Sequence, residues 1–579
     1  MKKKGFAAFF AGFLGVAVFS ANIYAAPAYQ DTEKAALKEF VTDFITAYTA
    51  ELDAYDIQLP RIRTKYTIEL GDTGRSLIGM SLPADISWFR NASFDADLLY
   101  NEDIVGAILY LHVNDTPICT SEVYFDKGTQ DFYIRIPELS ESYIACDFDK
   151  LMLADPSGTA EPSEEDLMLG EIYSSIFSNI IDLPDFLPQP DSLENILDKY
   201  LTMCIESMEE GGSGTDVLNI ADVSQECTFL EGFLTEEKAV LLAEEILTSV
   251  RNDPDILDSL TRIAKFYLWN DSDRVEEDLQ KAIDSALSAL SEDSGEDTEE
   301  ESLVSKIWLN EKGQIIGRQF SIQYKDGRQE DFLTLQNSAN GQERGFLFEM
   351  GAEDSSIAVT GSGTVNEGLL NGSYTVLANS QPVASIEVAD YDTEFIQNGR
   401  LNGVYTLKML PDMQSEDMVN PMLKNLSLKI SFSSSQEYAS TAYDYLIAGS
   451  SVFRTISETS LREEPAGEIP DFSDPDTIFY QFEEEEDLIR YTEEMDAANI
   501  LDKLIEAGMP ENFPEEVSEL FFYDNSGYYG NSYYDGYGEY YYDPYDTPYG
   551  DSYDPYGNGY DPGSGTGSLY DDYLMDQTA

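Results

Sequence analysis

The sequence predicts an α+β fold: one or two curved antiparallel sheets (meanders), each packed by amphipathic helices, with a disordered C-terminal tail. Three observations support this prediction. Apolar residues recur with a helical period over 31–52, 163–208 and 235–290. They alternate with polar residues over 63–148 and from about 304 to 433, as in strands. The last 57 residues hold 16 of the 38 tyrosines and 11 acids among Gly and Pro, a composition that builds no core.

The chain opens with the features of a secretory signal peptide, predicted over 1–28. A basic head is followed by an apolar run, Phe6 to Phe19, and by a small-residue exit, Ala26-Pro27-Ala28. The run is shorter than the ~20 residues of a membrane span, and an uncleaved N-terminal anchor is the alternative. We therefore expect a chain that starts at Tyr29, is secreted or held at the cell surface, and does not span the membrane.

Changes in composition divide the remainder into five segments. They are 29–160, a helix plus antiparallel sheet; 161–302, a helical segment with an acidic loop; 303–460, a β-meander sheet; 461–520, an acidic linker and helix; and 521–579, the disordered Tyr/Asp/Gly-rich tail.

Local signals place the elements of the first half. Asp31 or Thr32 can cap the first helix, and 63–148 reads as five or six antiparallel strands with a turn at Asn114-Asp115. The run 211–214, Gly-Gly-Ser-Gly, predicts a flexible break. Thr235 is expected to cap a helix that Glu236 and Glu237 open, because acids suit the positive end of the helix dipole. Asp253-Pro254 opens the next helix, and Val275 to Leu290 form a third.

The second half is predicted to be a meander of roughly nine strands. Its tight turns are marked by Glu311-Lys312-Gly313, Asp326-Gly327, Asn340-Gly341 and Asn398-Gly399, because Gly supplies the positive φ that such turns need. A Leu-Asn-Gly-x-Tyr-Thr unit occurs twice, ending at Thr375 and Thr406. It predicts a turn that starts a strand with an aromatic residue on one face. An acidic helix at about 482–507 follows.

The charge balance excludes some partners. The chain has 110 acidic and 34 basic residues, a net charge of −76. Nucleic-acid binding depends on Lys and Arg neutralising phosphate, so no nucleic-acid partner is expected. Anionic membrane surfaces are disfavoured for the same reason, whereas cations are attracted.

Four cysteines, Cys119, Cys146, Cys204 and Cys227, permit two disulfides in an exported chain. The pairs Cys119–Cys146 and Cys204–Cys227 are favoured because each lies within one local segment. Four buried thiols are the alternative, and the spacings fit no zinc site.

No catalytic residue and no cofactor are predicted. The single histidine, His112, lies in an alternating strand pattern, and a Ser-His-Asp site would have to be built on it. No nucleophile elbow, phosphate loop or dinucleotide fingerprint occurs. A pair of carboxylates remains open, since 110 acids offer many pairs.

Weak Ca²⁺ binding is the one metal interaction considered, since Ca²⁺ takes clustered carboxylate oxygens. The candidates are Asp471, Asp474 and Asp476, and the run Glu483 to Asp487, with non-specific condensation as the alternative. The tyrosine-rich tail is a spacer, a sticky segment or a site of oxidative coupling.

Three local patterns resemble uncharacterised secreted proteins of clostridial-type Gram-positive bacteria, over about 30–450. They are Ile136-Pro137-Glu138-Leu139-Ser140 leading to Tyr143-Ile144; Phe229-Leu230-Glu231-Gly232-Phe233-Leu234-Thr235 entering a helix; and Ile307-Trp308-Leu309-Asn310-Glu311-Lys312-Gly313-Gln314-Ile315-Ile316-Gly317-Arg318. More distantly, a curved sheet lined by helices is similar to the half-barrel of lipoprotein carriers. That likeness implies a concave apolar pocket for a lipid or peptide.

These observations favour an exported, non-catalytic protein that binds an apolar or peptide ligand between a sheet and the helices at 163–208 or 235–290. A cell-wall component is the other partner considered. The alternative is a structural or assembly component of the envelope that acts through its tail, and a carboxylate-type hydrolase is third.

Overall fold

The structure is a computed structural model in which the chain divides into two units, 1–518 and 519–579. The second unit, and with it the predicted tail, lies outside the described residues, as do the predicted signal peptide before Ala28 and the predicted helical residues 163–182. The described residues are 28–58, 61–81, 85–101, 103–147, 183–267, 274–292, 301–352, 355–393, 401–410, 425–435, 437–464, 467–482 and 484–514.

The prediction of an α+β fold with one or two sheets is wrong. The protein is mostly β, and its strands form one 20-stranded mixed sheet. The strands are β1 Ile62–Leu70, β2 Asn91–Tyr100, β3 Ile104–Val113, β4 Thr116–Asp126, β5 Asp131–Arg135, β6 Tyr143–Asp147, β7 Glu209–Ile220, β8 Val223–Thr235, β9 Ser302–Leu309, β10 Ile315–Gln323, β11 Gln329–Asn340, β12 Glu343–Ala352, β13 Ser355–Asn366, β14 Leu369–Ala378, β15 Gln381–Asp392, β16 Asn402–Met409, β17 Leu426–Ser434, β18 Tyr438–Ile447, β19 Ser450–Leu461 and β20 Phe479–Gln481. The helices are α1 Tyr29–Gln58, α2 Asp72–Ser81, α3 Leu183–Phe186, α4 Pro190–Ser207, α5 Glu236–Arg251, α6 Pro254–Tyr267, α7 Val275–Glu292, α8 Glu485–Glu494 and α9 Ala497–Glu506.

A single strand, β1, makes the sheet continuous. The meander runs antiparallel from β7 to β19 in chain order. Strand β1 then pairs with β19 on one side and with β2 on the other, so that Tyr66 lies between Ser457 and Phe94. The order continues through β6, and a short parallel pairing adds β20. The two segments predicted to form antiparallel strands, 29–160 and 303–460, therefore share one ladder.

Most local predictions are confirmed. The first helix covers 31–52, six strands follow it, and nine strands span 302–434. Thr235 accepts a hydrogen bond from the Lys238 backbone nitrogen and caps α5. Asn114 and Asp115 adopt φ of 49° and 65° in the turn between β3 and β4, and Gly327 adopts φ of 83°. The turn predicted at 398–399 lies outside the described residues.

Three local predictions need correction. The glycine-rich run 211–214 is not a break but part of β7, where a Cβ on Gly211 would lie 2.9 Å from the Glu231 carbonyl oxygen. Glycine there permits close approach of two strands. Helix α2 was not predicted, because its ten residues lie within 63–148, which was read as strands only. The acidic helix is two helices, since Asp496 caps α9 by accepting from the Asn499 nitrogen.

The largest core cluster lies where α1, α4 and α5 cover β8 to β11. Ile307 and Phe320 have an exposed fraction of 0% there, and they pack against Leu37 of α1, Leu201 of α4 and Leu242 of α5. A buried ion pair joins this region: Arg318 of β10 donates to Glu33 of α1, with 2.8 Å between Nη2 and Oε2.

Candidate functional site

One face of the sheet carries three cross-strand rows without a charged side chain; we call these rows the apolar face. The first row is Phe346, Gly361, Tyr374, Ile386, Leu407, Leu428, Tyr445, Phe453 and Leu70. The second is Gly372, Val388, Tyr405, Ile430, Tyr443, Thr455, Ile68, Ala92 and Val113. The third is Gly403, Phe432, Thr441, Ser457, Tyr66, Phe94, Leu111 and Cys119. Directly opposed residues point to the same side of a sheet, so the rows form one surface from β12 to β4.

The apolar face is substantially open to solvent. Six of its large side chains have an exposed fraction between 37% and 45%: Tyr66, Ile68, Phe94, Leu111, Tyr443 and Tyr445. Antiparallel sheets commonly turn their apolar face to the core and their polar face to water. A contiguous exposed apolar surface in a chain of net charge −76 is the opposite arrangement, and such surfaces mark interaction sites.

Aromatic side chains form close pairs on this surface. Tyr66 and Phe94 have ring centroids 5.0 Å apart, Tyr405 and Phe432 are 5.2 Å apart, and Tyr445 lies 5.7 Å from Phe453. These are normal distances for tilted aromatic pairs. Burial raises the pKa of Tyr405 to about 12, so its hydroxyl is neutral at physiological pH. The face therefore gains no charge from this tyrosine.

The sequence repeat contributes to this surface. Its two copies begin β14 and β16, and their tyrosines, Tyr374 and Tyr405, both belong to the apolar face. A Cβ at Gly372 would lie 3.0 Å from the Tyr374 hydroxyl, and one at Gly361 would lie 2.7 Å from the same ring. The Tyr374 ring thus lies low over two glycines. The prediction that the repeat places an aromatic residue on one face is confirmed.

The opposite face carries charge. One row runs from Arg63 through Asp97 and Ile108 to Glu122 and Arg135. Asp97 has an exposed fraction of 0%, and Arg462 donates to its Oδ2. Burial raises the pKa of Asp97, opposed by the two arginines beside it. This acid connects β2 to the chain that leaves β19.

The structure does not bring the predicted cysteine pairs together. All four are thiols. Cys204 of α4 belongs to the large core cluster, and Cys227 belongs to a separate cluster with Trp308. Cys146 packs with Phe132, whereas Cys119 contacts the cluster around Ile118. Neither predicted pair shares a cluster, so the structure favours the free-thiol alternative.

The remaining predicted positions are structural in the described residues. His112 lies in β3, as predicted. Asp471 accepts from the Ser473 nitrogen and Asp474 from the Asp476 nitrogen, so both carboxylates close local turns. Among the described residues, no group of three or more His, Cys, Asp or Glu is placed to hold a metal ion. Glu483 lies outside them.

A depression of about 450 Å³ lies on β7, β8 and the end of β9, away from the helices. Asp216 at its wall accepts from Trp308 Nε1 at 2.9 Å and from Lys306 Nζ at 3.3 Å. The Trp308 hydrogen bond holds the pKa of Asp216 below its usual value. Because Asp216 is already engaged by Trp308 and Lys306, this depression is a weaker candidate than the apolar face.

Helices in the described part of the chain are all too short or too polar to cross a membrane. Comparisons with known proteins add no assignment: no family model, no curated protein and no solved structure matches this chain.

Proposed function

We propose that this is an exported, non-catalytic binding protein and that its ligand lies on the apolar face. The observation that carries the proposal is the set of three uncharged rows, half-exposed over β18, β19 and β1 to β3. This moves the ligand from the position expected from the sequence. Between sheet and helices the space is filled, since Ile307 and Phe320 are completely buried there.

The openness of the apolar face favours one kind of ligand. A face that is exposed to solvent covers only one side of its occupant, so it cannot enclose an acyl chain as a closed pocket would. An amphipathic helix brings its own polar side to water and needs only one apolar contact. At its other end, the sheet already packs against amphipathic helices α1, α4 and α5. We therefore propose an amphipathic helical segment of a partner protein.

Charge specifies the polar side of that helix. The chain carries 110 acidic residues against 34 basic ones, so an acidic ligand is repelled over the whole approach. A helix with Lys and Arg opposite its apolar stripe is attracted, and its apolar stripe then meets rows that carry no charge. The proposed ligand is a basic amphipathic helix, with the attraction acting mainly on the rate of association.

Binding can be measured with the full chain and a fluorescent basic amphipathic helical peptide, by anisotropy. A scrambled peptide of equal composition is expected not to bind, because its apolar residues no longer form a stripe. Equal binding of both peptides would show a purely electrostatic association and refute the proposal. Stronger binding to neutral lipid vesicles than to the peptide would also contradict it.

A matched pair of tyrosines on one strand locates the site. Tyr443 is on the apolar face with an exposed fraction of 41%, and Tyr438 is on the opposite face with 39%. Tyr443→Ser is expected to weaken peptide binding about tenfold, the loss typical of an interface aromatic. Tyr438→Ser is expected to leave binding unchanged. Equal effects would place the ligand elsewhere.

The other two sequence predictions stay as predictions. An assembly role acting through 521–579 concerns residues outside the described part of the chain. A carboxylate-type hydrolase is tested by any turnover that one acidic substitution abolishes.

A further inference from the structure

The carboxylate of Glu210 is aimed at the first residue of α1. Its Oε2 accepts from the Tyr29 backbone nitrogen at 2.8 Å, and its Oε1 accepts from the Gln30 nitrogen at 3.0 Å. Its neighbours have cationic partners: Lys238 pairs with Glu209 at 2.7 Å, and Lys34 pairs with Glu206 at 2.8 Å. Among the described residues, Glu210 has no Lys or Arg partner.

Tyr29 is the point at which the chain joins the core. The side chain is almost completely buried, with an exposed fraction of 1%, whereas Ala28 before it is half-buried. A Cβ on Gly232 of β8 would lie 2.5 Å from the Tyr29 ring, so the glycine provides the space for that ring. Burial raises the pKa of the Tyr29 hydroxyl, which lies beside Glu33 and Arg318. Both main chain and side chain of this residue are therefore held.

We infer that the peptide bond between Ala28 and Tyr29 is a processing site, and that Glu210 receives the ammonium group which cleavage creates. The bond follows the small-residue run Ala26-Pro27-Ala28, which a signal-removing protease of the export pathway accepts. Water adds across the amide: Ala28 leaves with a new carboxylate, and Tyr29 keeps an amine that is protonated at neutral pH.

The position of this ammonium group gives a role to a carboxylate that has no Lys or Arg partner. A positive charge at the first residue of a helix is repelled by the positive end of the helix dipole. Glu210 offsets that repulsion, and its hydrogen bond to the uncharged amide becomes an ion pair with the ammonium group. Cleavage also removes the Ala28 carbonyl, which accepts from the Thr32 nitrogen at 3.1 Å and from its Oγ1 at 2.9 Å. Cleavage therefore changes two contacts at once, and a substitution at Glu210 isolates the contact with the ammonium group.

The first test is the N-terminus of the protein secreted by a Gram-positive host, read by intact mass and N-terminal sequencing. The proposal expects a chain that begins at Tyr29. A chain that begins at another residue, or that keeps residues 1–28, overturns it.

The second test compares two full-length forms, one beginning at Tyr29 and one beginning at Ala26, each with and without Glu210→Gln. In the Tyr29 form the substitution leaves an ammonium without its counterion. Because Glu210 is exposed, the substitution should raise the unfolding equilibrium constant only about threefold more than in the Ala26 form, as expected for a surface ion pair. The same increase in both forms would show that Glu210 serves only as a helix cap and would refute the ion pair.

The control substitution is Glu209→Gln, which breaks the neighbouring pair with Lys238. Its effect should be equal in the two forms, since that pair does not depend on the N-terminus. An unequal effect of Glu209→Gln would show that residues 26–28 themselves cause the difference between the two forms. That result would count against a role for Glu210.

Discussion

One end of the sheet face is covered by helices, whereas the other end of the same face is exposed to solvent. Over β8 to β11 the face lies under α1, α4 and α5, and Ile307 and Phe320 are fully buried. Over β18, β19 and β1 to β3 it is open, and Tyr443 and Ile68 keep more than 40% of their surface exposed. Both ends have the alternating pattern of half-buried strands. Alternation therefore specifies which side chains share a face, and the placement of helices decides whether that face becomes core or binding surface.

The two ends also differ in whether they contain charged side chains. The covered end contains a buried ion pair, Glu33 with Arg318, in which the Glu33 carboxylate outweighs burial and holds the pKa of Arg318 above its usual value. The three rows of the apolar face contain no charge. A paired charge under a helix fixes how that helix docks, whereas an unpaired charge on the open face would oppose an apolar ligand.

The largest effect is expected from breaking the covered ion pair. Glu33→Ala leaves the Arg318 guanidinium buried without its counterion, which should lower the free energy of unfolding by about 3–5 kcal/mol. The control is Glu387→Ala, since Glu387 pairs with Lys408 at 2.7 Å on the exposed surface. That substitution should cost at most about 1 kcal/mol. Urea unfolding measures both, and similar costs would show that α1 is not held by this pair.

A pair of isoleucines tests the packing difference between the two ends. Ile307→Ala removes fully buried methyl groups under the helices and should cost about 2–5 kcal/mol. Ile357→Ala removes the same atoms from β13, where the side chain has an exposed fraction of 52%, and should cost less than about 1 kcal/mol. Equal losses in urea unfolding would mean that the Ile357 side chain is covered in solution.

Local chemistry made much of this fold predictable. The cap at Thr235, the turn at Asn114-Asp115 and the alternation around Tyr405 are all properties of a few neighbouring residues, and each was identified from sequence. The fold class was not, because it depends on the pairing of β1 with β19, which joins residues nearly 400 positions apart. Nothing local to Ile62–Leu70 states which strand it will pair with.

The candidate site was predictable only in part. The alternating apolar residues were visible, but their burial under helices was assumed rather than known. The glycine-rich run at 211–214 was misread for a related reason: a close approach to Glu231 and a flexible linker use the same residues. Glu210, beside that run, carried no signal, since one acid among 110 acquires its role only when α1 docks.

A buried cysteine, Cys204, provides a smaller test of how tightly the helices cover the sheet. Burial raises the pKa of Cys204, on the buried side of α4, to about 12 from 9.0. A raised folded pKa gives stability that is complete below about pH 9 and is lost as pH rises towards 12, at no more than about 1.4 kcal/mol per pH unit. Cys204→Ala should therefore unfold with a shallower loss of stability above pH 9. Parallel pH profiles for the two proteins would contradict the burial of this thiol.

The smallest effect should come from a ring pair on the apolar face, Tyr66 and Phe94. Tyr66 and Phe94 lie 5.0 Å apart on neighbouring strands, and both are more than a third exposed. A double-mutant cycle with Tyr66→Leu and Phe94→Leu should give a coupling of about 0.5 kcal/mol, the low end for aromatic pairs, because water screens one side of each ring. Saturation with the basic amphipathic peptide should increase that coupling, since the ligand would remove that water. If coupling stays constant, the peptide does not cover this pair, and the binding surface must lie nearer to Tyr443.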